Sequence, residues 1–402
     1  MTTLNSQIRR NFFHLYGDIF WFGVLTGSTL AFLAIYASRL GASNFQVGLL
    51  TAGPAIVNLF ISLPAGKWLG GKSLVRVSKF AVLVQRLGYL VLVPLPWLFS
   101  GNLQVWMMLS LSLVMAIPNA GYTISFNALF GDVVPPEYRG GVVGRRNALV
   151  AVSTTVTALI CGQLLKRIDF PLNYQVVFGI GAFGGLMSAY HIGRLRLDKL
   201  AGTLAEVKER VLKPSGRLLR LDLLRGPYGT FMLAYLALYT FMYVSVPLNP
   251  LFVVREVAFS DITISVGNAL FWGFMFIVSL RMAWISRRFG HRRVLVVGAF
   301  SMSLYPLLTG LSWIPLHYYI ANVVGGVSWG LTGGSLLNRL MERVPVDDRP
   351  DHMALYNMVL NLGMLGGSMI GSTVATLLGL RDAMLLSAGL RALAGFLMLL
   401  WG

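Results

Sequence analysis

The sequence predicts an all-α membrane protein with twelve transmembrane helices in two pseudo-symmetric six-helix bundles. Three observations lead to this fold class: the chain is unusually apolar, its apolar stretches have the length of a membrane span, and its two halves look alike. Of the 402 residues, 56% are hydrophobic and 12% are charged, whereas soluble domains carry roughly 25% charged residues. A chain this long and apolar could not bury its surface in one aqueous core, so a lipid bilayer is the expected surrounding.

Apolar stretches of about 20 residues, the length that a helix needs to cross a bilayer, recur along the whole chain. Short polar segments separate them. This favours helices over a membrane barrel, whose strands would show about 10-residue segments of alternating polarity, and helices close their backbone hydrogen bonds within each span. The predicted spans are 13–38, 45–66, 77–99, 103–130, 144–165, 173–194, 229–254, 263–284, 294–312, 315–340, 353–378 and 383–401.

The basic residues are unevenly divided between the two predicted sides of the membrane. The net charge is +18, and 26 of the 33 Lys and Arg fall on the side that holds both termini. Positive residues mark the cytoplasmic face, so we expect a multi-pass protein of the cytoplasmic (inner) membrane with both termini in the cytoplasm. A nucleic-acid partner would need a basic folded domain outside the membrane. The longest predicted loop, 195–228, has only 34 residues, so we expect no nucleic acid.

A single cysteine, Cys161, lies inside the fifth predicted span. A disulfide within the chain and a metal site built on cysteines are therefore excluded, and we expect neither a metal nor a cofactor. Arg9 and Arg10 precede an apolar run that is too long for a cleavable signal peptide, so that run is expected to be the first span.

The two halves of the chain carry a short repeat at the same place. The segments Val133–Arg139 and Arg343–Arg349 follow the fourth and the tenth span, and at an offset of 210 residues Arg139 matches Arg349. Two parallel repeats of six helices are an architecture of transporters. We therefore expect an N-terminal bundle over 1–194, a cytoplasmic linker over 195–228 and a C-terminal bundle over 229–402.

Two segments resemble the major facilitator superfamily of transporters. Asp132–Gly144, with the sequence DVVPPEYRGGVVG, resembles the loop after the fourth helix in many members, and Leu40–Gly48 resembles the first outer loop. The resemblance implies a bacterial transporter in which the two bundles rock around a site near the membrane midplane. It also implies switch loops that stabilise one conformation, with the residues Asp132, Arg139, Arg349, Arg287 and Arg288 as candidates.

The sequence departs from the family at its best-known loop, between the second and third helices. Gly70 stands where the family has an aspartate, and the second-half copy, Ala283–Arg293, also lacks the acid. In the family this aspartate belongs to a charge network that holds the outward-open state. This chain is therefore expected to hold that state differently or less firmly. The fifth helix also lacks the Gly-Pro-rich signature of drug/proton antiporters.

Asp18 is the only acid well inside a predicted span, and His14 lies one helical turn before it on the same face. Charge inside a bilayer costs about 2.5–3.5 kcal/mol per residue on insertion scales, so such residues are functional candidates. A carboxylate that faces a cavity can bind and release a proton as its solvation changes. Asp18 and His14 are therefore candidates for proton coupling. The alternative is a structural ion pair near the cytoplasmic interface.

Two arginines, Arg86 and Arg391, also lie inside spans. Arg86 is too deep to reach the interface easily, so a buried partner is expected, and Asp18 is the obvious acid. Arg391 has no evident acidic partner. Contact with carbonyls or polar side chains of neighbouring helices is the simpler expectation, and an anion-binding role is the alternative.

The resemblance implies that polar and aromatic side chains of helices 1, 4, 7 and 10 face a substrate cavity. An aromatic stripe is more often packing than ligand contact, and a buried Asn often only joins helices, so both interpretations stay open for each candidate. Small residues, such as Gly363, Gly367 and Gly371, would let helices approach closely and slide. The cavity and substrate candidates are Asn119, Tyr122, Asn127, Tyr235, Tyr239, Tyr243, Asn322, Trp329, Asn357 and Asn361.

These observations together predict a secondary active transporter for a small molecule, working in the lipid bilayer as a monomer, with protons as candidate coupling ions. An uncoupled facilitator and a lipid or amphiphile exporter are alternatives on the same fold. A non-transporting receptor or assembly factor is an alternative of another class. A membrane-embedded enzyme would need paired catalytic groups at membrane depth, for which only His14 with Asp18 offers anything close, so we expect no enzyme.

Overall fold

The computed structural model describes residues 6–69, 74–196, 221–344 and 349–402, and in these ranges the chain is helical without a strand. Among these residues, eleven helical stretches are long and apolar enough to cross a membrane. The remaining predicted span, the third at 77–99, is covered by the helices Leu74–Val91 and Leu95–Leu98, but Leu74–Val91 carries three basic residues in its 18 positions. The predicted fold class is confirmed.

The helices of the first half occupy most of its length. A π-helical turn, Thr26–Leu30, joins the first two. They are α1 (Ser6–Leu25), α2 (Ala31–Arg39), α3 (Asn44–Leu69), α4 (Leu74–Val91), α5 (Leu95–Leu98), α6 (Gly101–Val133), α7 (Pro136–Arg167) and α8 (Leu172–Gly193).

The second half begins with a 3-10 turn, Leu221–Leu224, and contains a second π-helical turn, Phe252–Glu256. Its helices are α9 (Pro227–Val244), α10 (Leu248–Leu251), α11 (Asp261–Phe289), α12 (His291–Ser301), α13 (Leu304–Gly310), α14 (Pro315–Arg343), α15 (Arg349–Leu378) and α16 (Leu380–Trp401).

The motif expected to form the loop after the fourth span is mostly helical. α6 continues to Val133, and α7 begins at Pro136, so only Val134 and Pro135 lie between the two helices. The reason lies in the two prolines: a proline cannot continue the helix before it but suits the first turn of the next one. The predicted loop Asp132–Gly144 is therefore wrong in extent.

The chain forms two compact units. The first contains residues 1–32, 60–100 and 110–216, and the second contains 33–59, 101–109 and 217–402. The end of the first span, most of the second and the start of the fourth thus belong to the unit that holds the second half of the sequence. The predicted division at the linker 195–228 stays a prediction, since most of that linker lies outside the described residues.

Each unit has its own packed core. In the first unit α1 packs against α7 and α8, and α4 packs against α8. In the second unit α9 packs against α15 and α16, while α14 packs against α11, α12 and α13. The apolar core of the second unit is built around Phe231, Tyr235, Leu295 and Leu340. Large apolar side chains also remain exposed on many helices, as expected where lipid surrounds the protein.

Candidate functional site

The buried carboxylate of Asp18 lies at the centre of a polar network in the first unit. Asp18 is 2% exposed, and among acids whose side chains the structure describes it is the only buried one. Arg146 Nη2 of α7 donates to Asp18 Oδ2 at 3.1 Å, and Ser188 Oγ of α8 donates to Oδ1 at 2.7 Å. Both oxygens therefore have donors, as a buried charge requires.

Arg146 is fixed by more than this ion pair. Its Nη1 donates to the Leu15 carbonyl at 2.7 Å, and its guanidinium lies 5.2 Å from the ring centroid of Phe126. One arginine thereby joins α7 to the backbone and the side chain of α1. Such a doubly hydrogen-bonded cation holds Asp18 in one orientation.

The expected ion pair between Asp18 and Arg86 is wrong. In the described part of the chain Arg86 contacts no carboxylate. It lies 4.7 Å from the ring centroid of Phe22 and 6.0 Å from that of Tyr122. Arg86 is 3% exposed, and aromatic faces stabilise its charge in place of an acid. The partner of Asp18 depends on which helices its carboxylate faces. It faces α7 and α8, so its partners are Arg146 and Ser188.

His14 lies one turn from Asp18 and meets a histidine that the sequence reasoning missed. His14 Nδ1 and His191 Nδ1 are 3.1 Å apart, and both side chains are buried. The rings of Phe13 and Tyr190 lie edge-on to His191. The pair joins α1 to α8.

Small residues let α1 and α8 approach. A methyl group on Gly17 would lie 2.5 Å from His191 Cε1, and one on Gly184 would lie 3.0 Å from the Trp21 carbonyl. At the predicted cytoplasmic end, Asn11 exchanges two hydrogen bonds with the backbone of Arg196. The two helices are thus antiparallel, with polar contacts at successive turns.

The aromatic stripe of α9 packs inside the second unit. Tyr235 and Tyr239 are buried in its core, and Tyr239 Oη lies 3.3 Å from Tyr356 Oη of α15. Tyr243 is partly buried against the same core, as is Trp329 of α14. These contacts account for the stripe by packing, and its role in substrate binding stays a prediction.

Arg391 is bound by backbone carbonyls, which is the simpler of the two expectations for it. Its Nη1 donates to the Met302 carbonyl at 3.1 Å, and its Nη2 donates to the Met242 carbonyl at 2.6 Å and to Ser245 Oγ. In a continuous helix the Met302 carbonyl would bond the N–H of residue 306, but Pro306 has none. Arg391 supplies the donor that this proline removes.

The remaining predicted residues lie in varied surroundings. Asn119 accepts a hydrogen bond from Gln85 at 2.9 Å. Asn322 and Asn361 are buried and bond carbonyls of their own helices, whereas Asn357 is exposed. Tyr122 is partly buried beside Arg86. The side chain of Asn127 lies outside the described ones.

The predicted switch residues are only partly described. Arg139 Nε donates to the Val134 carbonyl at 3.1 Å, which closes the short turn between α6 and α7. Arg287 and Arg288 are exposed in the last turn of α11. The side chains of Asp132 and Arg349 lie outside the described ones, so the proposed equivalence of Arg139 and Arg349 stays a prediction.

Within the second unit, segments from the first half of the sequence contact helices from the second half. Arg39 at the end of α2 donates to Asp261 Oδ1 of α11 at 2.7 Å from Nη2 and at 3.0 Å from Nε. Arg255 donates to the Ala42 carbonyl, and Asn44 donates to Thr376 Oγ1 at 3.3 Å. We call these three contacts the latch.

Helix α3 also approaches α15 closely beside the latch. A methyl group on Gly48 would lie 2.1 Å from Ser372 Oγ. All the latch residues lie at span ends on the side predicted to face outward. Sequence reasoning missed the latch because its partners are more than 200 residues apart.

Known proteins resemble the chain in sequence. The family model described as Major Facilitator Superfamily matches residues 19–244 and 231–402. A curated relative, the "Multi-drug resistance efflux pump PmrA homolog" of Lactococcus lactis subsp. lactis (strain IL1403), is 21% identical over 390 residues. The match covers 93% of this chain and 90% of that protein.

Solved structures resemble the fold. A mutant form of the nucleoside transporter NupG superposes with a TM-score of 0.75 at 12% identity, covering 97% of this chain and 99% of that one. The xylose transporter XylE from E. coli gives 0.71 at 13% identity and 98% of both chains. A bacterial homologue of the human lysosomal transporter Spinster gives 0.73 at 14% identity, covering 98% and 96%.

Proposed function

Because the chain belongs to the Major Facilitator Superfamily, we propose that it is a secondary active transporter that moves a small organic molecule across the cytoplasmic membrane by alternating access. The family consists of membrane transporters, so the chain is a multi-pass transporter and not an enzyme. The mechanism, the coupling ion and the direction of transport are the proposal.

The latch is the observation that carries alternating access. Arg39 and Asp261 come from opposite halves of the sequence, yet they form an ion pair whose side chains are 28% and 13% exposed. Access from the outer side requires these segments to separate, and access from the inner side is compatible with their contact. A contact that one state makes and the other lacks sets the balance between the states.

The buried carboxylate supports proton coupling. Asp18 has one strong cationic partner, Arg146, and one neutral donor, Ser188. Protonation of Asp18 would release Arg146 from its ion pair, so the proton and the arrangement of α1, α7 and α8 are linked. In an uncoupled facilitator the same carboxylate would serve only as the structural partner of Arg146.

The relatives suggest the substrate classes to test. The curated relative is named as a multidrug efflux pump, which favours export of an amphiphilic compound. The structural neighbours include a nucleoside transporter and a xylose transporter, but their low identity extends only to the fold. We place efflux first, and sugar or nucleoside transport second.

The first experiment identifies a ligand and then measures its movement. Hoechst 33342, uridine and xylose are screened by thermal shift, because a bound ligand stabilises the folded state by mass action. Each compound is then offered to proteoliposomes under a pH gradient. Accumulation of any compound above that in protein-free liposomes supports transport. A ligand that binds and is never moved across the membrane would favour a receptor.

The second experiment opens the latch. Spin labels at Leu172 and Leu377, two exposed positions at predicted outer ends, report the outer distance by double electron–electron resonance in a Cys161→Ala background. Arg39→Ala should favour the longer distance about fivefold, the effect of roughly 1 kcal/mol. Arg381→Ala is the matched control, since Arg381 pairs with Glu256 inside the second half of the sequence. Equal effects of both variants would remove the latch from the mechanism.

We also propose that both termini and the linker lie in the cytoplasm, as the charge asymmetry predicts. Ser215, in the linker, lies outside the described residues. A cysteine introduced there by Ser215→Cys, in the Cys161→Ala background, should react with a membrane-impermeant reagent only after cell lysis. Reaction in intact cells would reverse the orientation.

A further inference from the structure

We infer that the His14–His191 pair is a proton relay that connects Asp18 to water at the predicted cytoplasmic end of α1. This inference rests on the proposed proton coupling and adds the path by which the proton reaches the carboxylate. It assigns a role to His191 and to Gly17.

Titratable and hydroxyl side chains meet at two successive turns where α1 packs against α8. His14 and Asp18 are one turn apart on α1, and Ser188 and His191 are one turn apart on α8. At the first turn the two histidines are 3.1 Å apart, and at the second Ser188 donates to Asp18 at 2.7 Å. A proton on the histidine pair is therefore about one helical turn, roughly 6 Å, from the carboxylate.

The two histidines of the pair have different charged neighbours. Arg10 of α1 and Arg194 at the end of α8 act electrostatically on His14, whereas Asp18 acts on His191. From α7, Arg146 faces Asp18 itself. The helix α4 also packs against α8 and carries charges, but in the described part of the chain none of them is among the charges that act on either histidine. The negative charge at one end and the positive charges at the other favour a proton that moves from His14 toward Asp18.

The contact itself permits the transfer. With two Nδ1 atoms facing each other, one ring carries the hydrogen and the other offers the lone pair. His14 Nε2 accepts a proton from a hydronium ion on the cytoplasmic side, which leaves water, while His14 Nδ1–H is given to His191 Nδ1. His191 then gives its Nε2 proton, through one intervening water, to the carboxylate of Asp18. One proton is taken from the cytoplasmic side, one bond to hydrogen forms for each that breaks, and Asp18 ends neutral.

The backbone is shaped for this contact. A methyl group on Gly17 would lie 2.5, 2.6 and 2.8 Å from three atoms of the His191 ring, so an alanine there would displace the ring from its present contact with His14. Around the pair, Phe13 and Tyr190 pack their rings edge-on to His191.

The test is a pH jump on the full protein in lipid, with the carboxylic acid C=O band followed by time-resolved infrared spectroscopy. Asp18→Asn identifies the band. His14→Gln and His191→Gln should each slow its appearance at least about tenfold, since a positioned acid–base group contributes about 10²–10⁴-fold. Gly17→Ala should act in the same direction. His317→Gln, at an exposed histidine of α14, should leave the rate unchanged.

The outcomes separate the relay from the proposed function. An Asp18 band that forms at the normal rate in both histidine variants overturns the relay and leaves Asp18 as the proton carrier. The lack of any band that Asp18→Asn removes overturns the proton coupling and the relay with it. If the variants do not fold, nitrogen-15 coupling across the Nδ1–Nδ1 bond in the unmodified protein decides, and its absence contradicts the inference.

Discussion

The first and the seventh spans hold equivalent places in the two predicted repeats, but they bury different chemistry. In the first span, α1 places a carboxylate and an imidazole, Asp18 and His14, against α7 and α8. In the seventh, α9 places the phenols of Tyr235 and Tyr239 against α15. An acid and an imidazole are thus buried in one half, and phenols are buried at the equivalent place in the other.

The first span packs against α7 and the seventh packs against α15, and both contacts need a glycine. The glycine lies on the first span in one contact and on the partner helix in the other. Where the first span meets α7 the glycine belongs to the first span, and a methyl group on Gly27 would lie 2.3 Å from the Thr154 carbonyl of α7. In the second unit the glycine belongs to α15, where a methyl group on Gly367 would lie 2.1 Å from the Thr240 carbonyl of α9. Close packing is common to both spans, whereas the pairing of a buried carboxylate with an imidazole one turn away is found in the first span. Under the proposed proton coupling, the coupling group would therefore lie in the first half, and the seventh span would serve mainly packing.

The largest loss of stability is expected when the buried charge of the first unit loses its partner. Arg146→Gln leaves Asp18 without a cation and should lower the free energy of unfolding by about 4 kcal/mol. Adding Asp18→Asn should recover part of this loss because the unpaired charge is gone. The stability of the single and the double variant is measured by thermal unfolding of the purified protein. If the double variant is no more stable than Arg146→Gln, the loss of the ion pair is not the cause of the lower stability.

A smaller loss is expected at the glycine contact of the second unit. Gly367→Ala places a methyl group against backbone and should cost about 3 kcal/mol, in the upper part of the range for overpacking. Gly366→Ala, one residue away, meets nothing within 4 Å and should leave stability nearly unchanged. Equal melting temperatures for the two variants would show that α9 and α15 tolerate separation.

The buried arginine of the second unit should contribute less again. Arg391→Met leaves the Met302 carbonyl without a donor and should cost about 2 kcal/mol. Pro306→Ala restores an N–H four residues after Met302 and should recover part of that loss in the double variant. The pH dependence of the outer distance should stay as in the unmodified protein. A changed pH dependence would show that coupling is not confined to the first half.

The smallest effect is expected in the tyrosine stripe. Tyr239→Phe removes the 3.3 Å contact with Tyr356 and should cost about 1 kcal/mol, without altering the response to pH. Tyr235→Phe, in the same stripe, provides the comparison for substrate binding. A loss of ligand binding in either variant, at unchanged stability, would make the stripe part of the substrate site.

Most spans of this fold can be predicted from the sequence, because a span in lipid must be long, apolar and helical. Asp18 is predictable for the same reason: a lone acid inside an apolar run is costly. Its partner is not predictable, since Arg146 stands beside Arg145 and looks like part of a cytoplasmic basic cluster. Only helix packing turns Arg146 toward α1 and leaves Arg86 among aromatic rings.

Other contacts depend on pairings that no local pattern contains. His191 ends a span, where a histidine is ordinary, and becomes notable only when α8 brings it to His14. Arg39 and Asp261 are ordinary residues of outer loops until the second unit brings them together. Arg391 does carry a local signal, because a proline that removes an N–H leaves a carbonyl in need of a donor, but the sequence does not say which distant arginine supplies it.

The central claim is that the charge state of Asp18 sets the balance between transport states. The most direct measurement is the outer distance between labels at Leu172 and Leu377, recorded at mildly acidic and mildly alkaline pH. In the otherwise unmodified protein the distance distribution should shift between the two conditions. In Asp18→Asn it should stay at the acidic-pH form throughout. A pH-dependent shift that persists unchanged in Asp18→Asn would contradict the account.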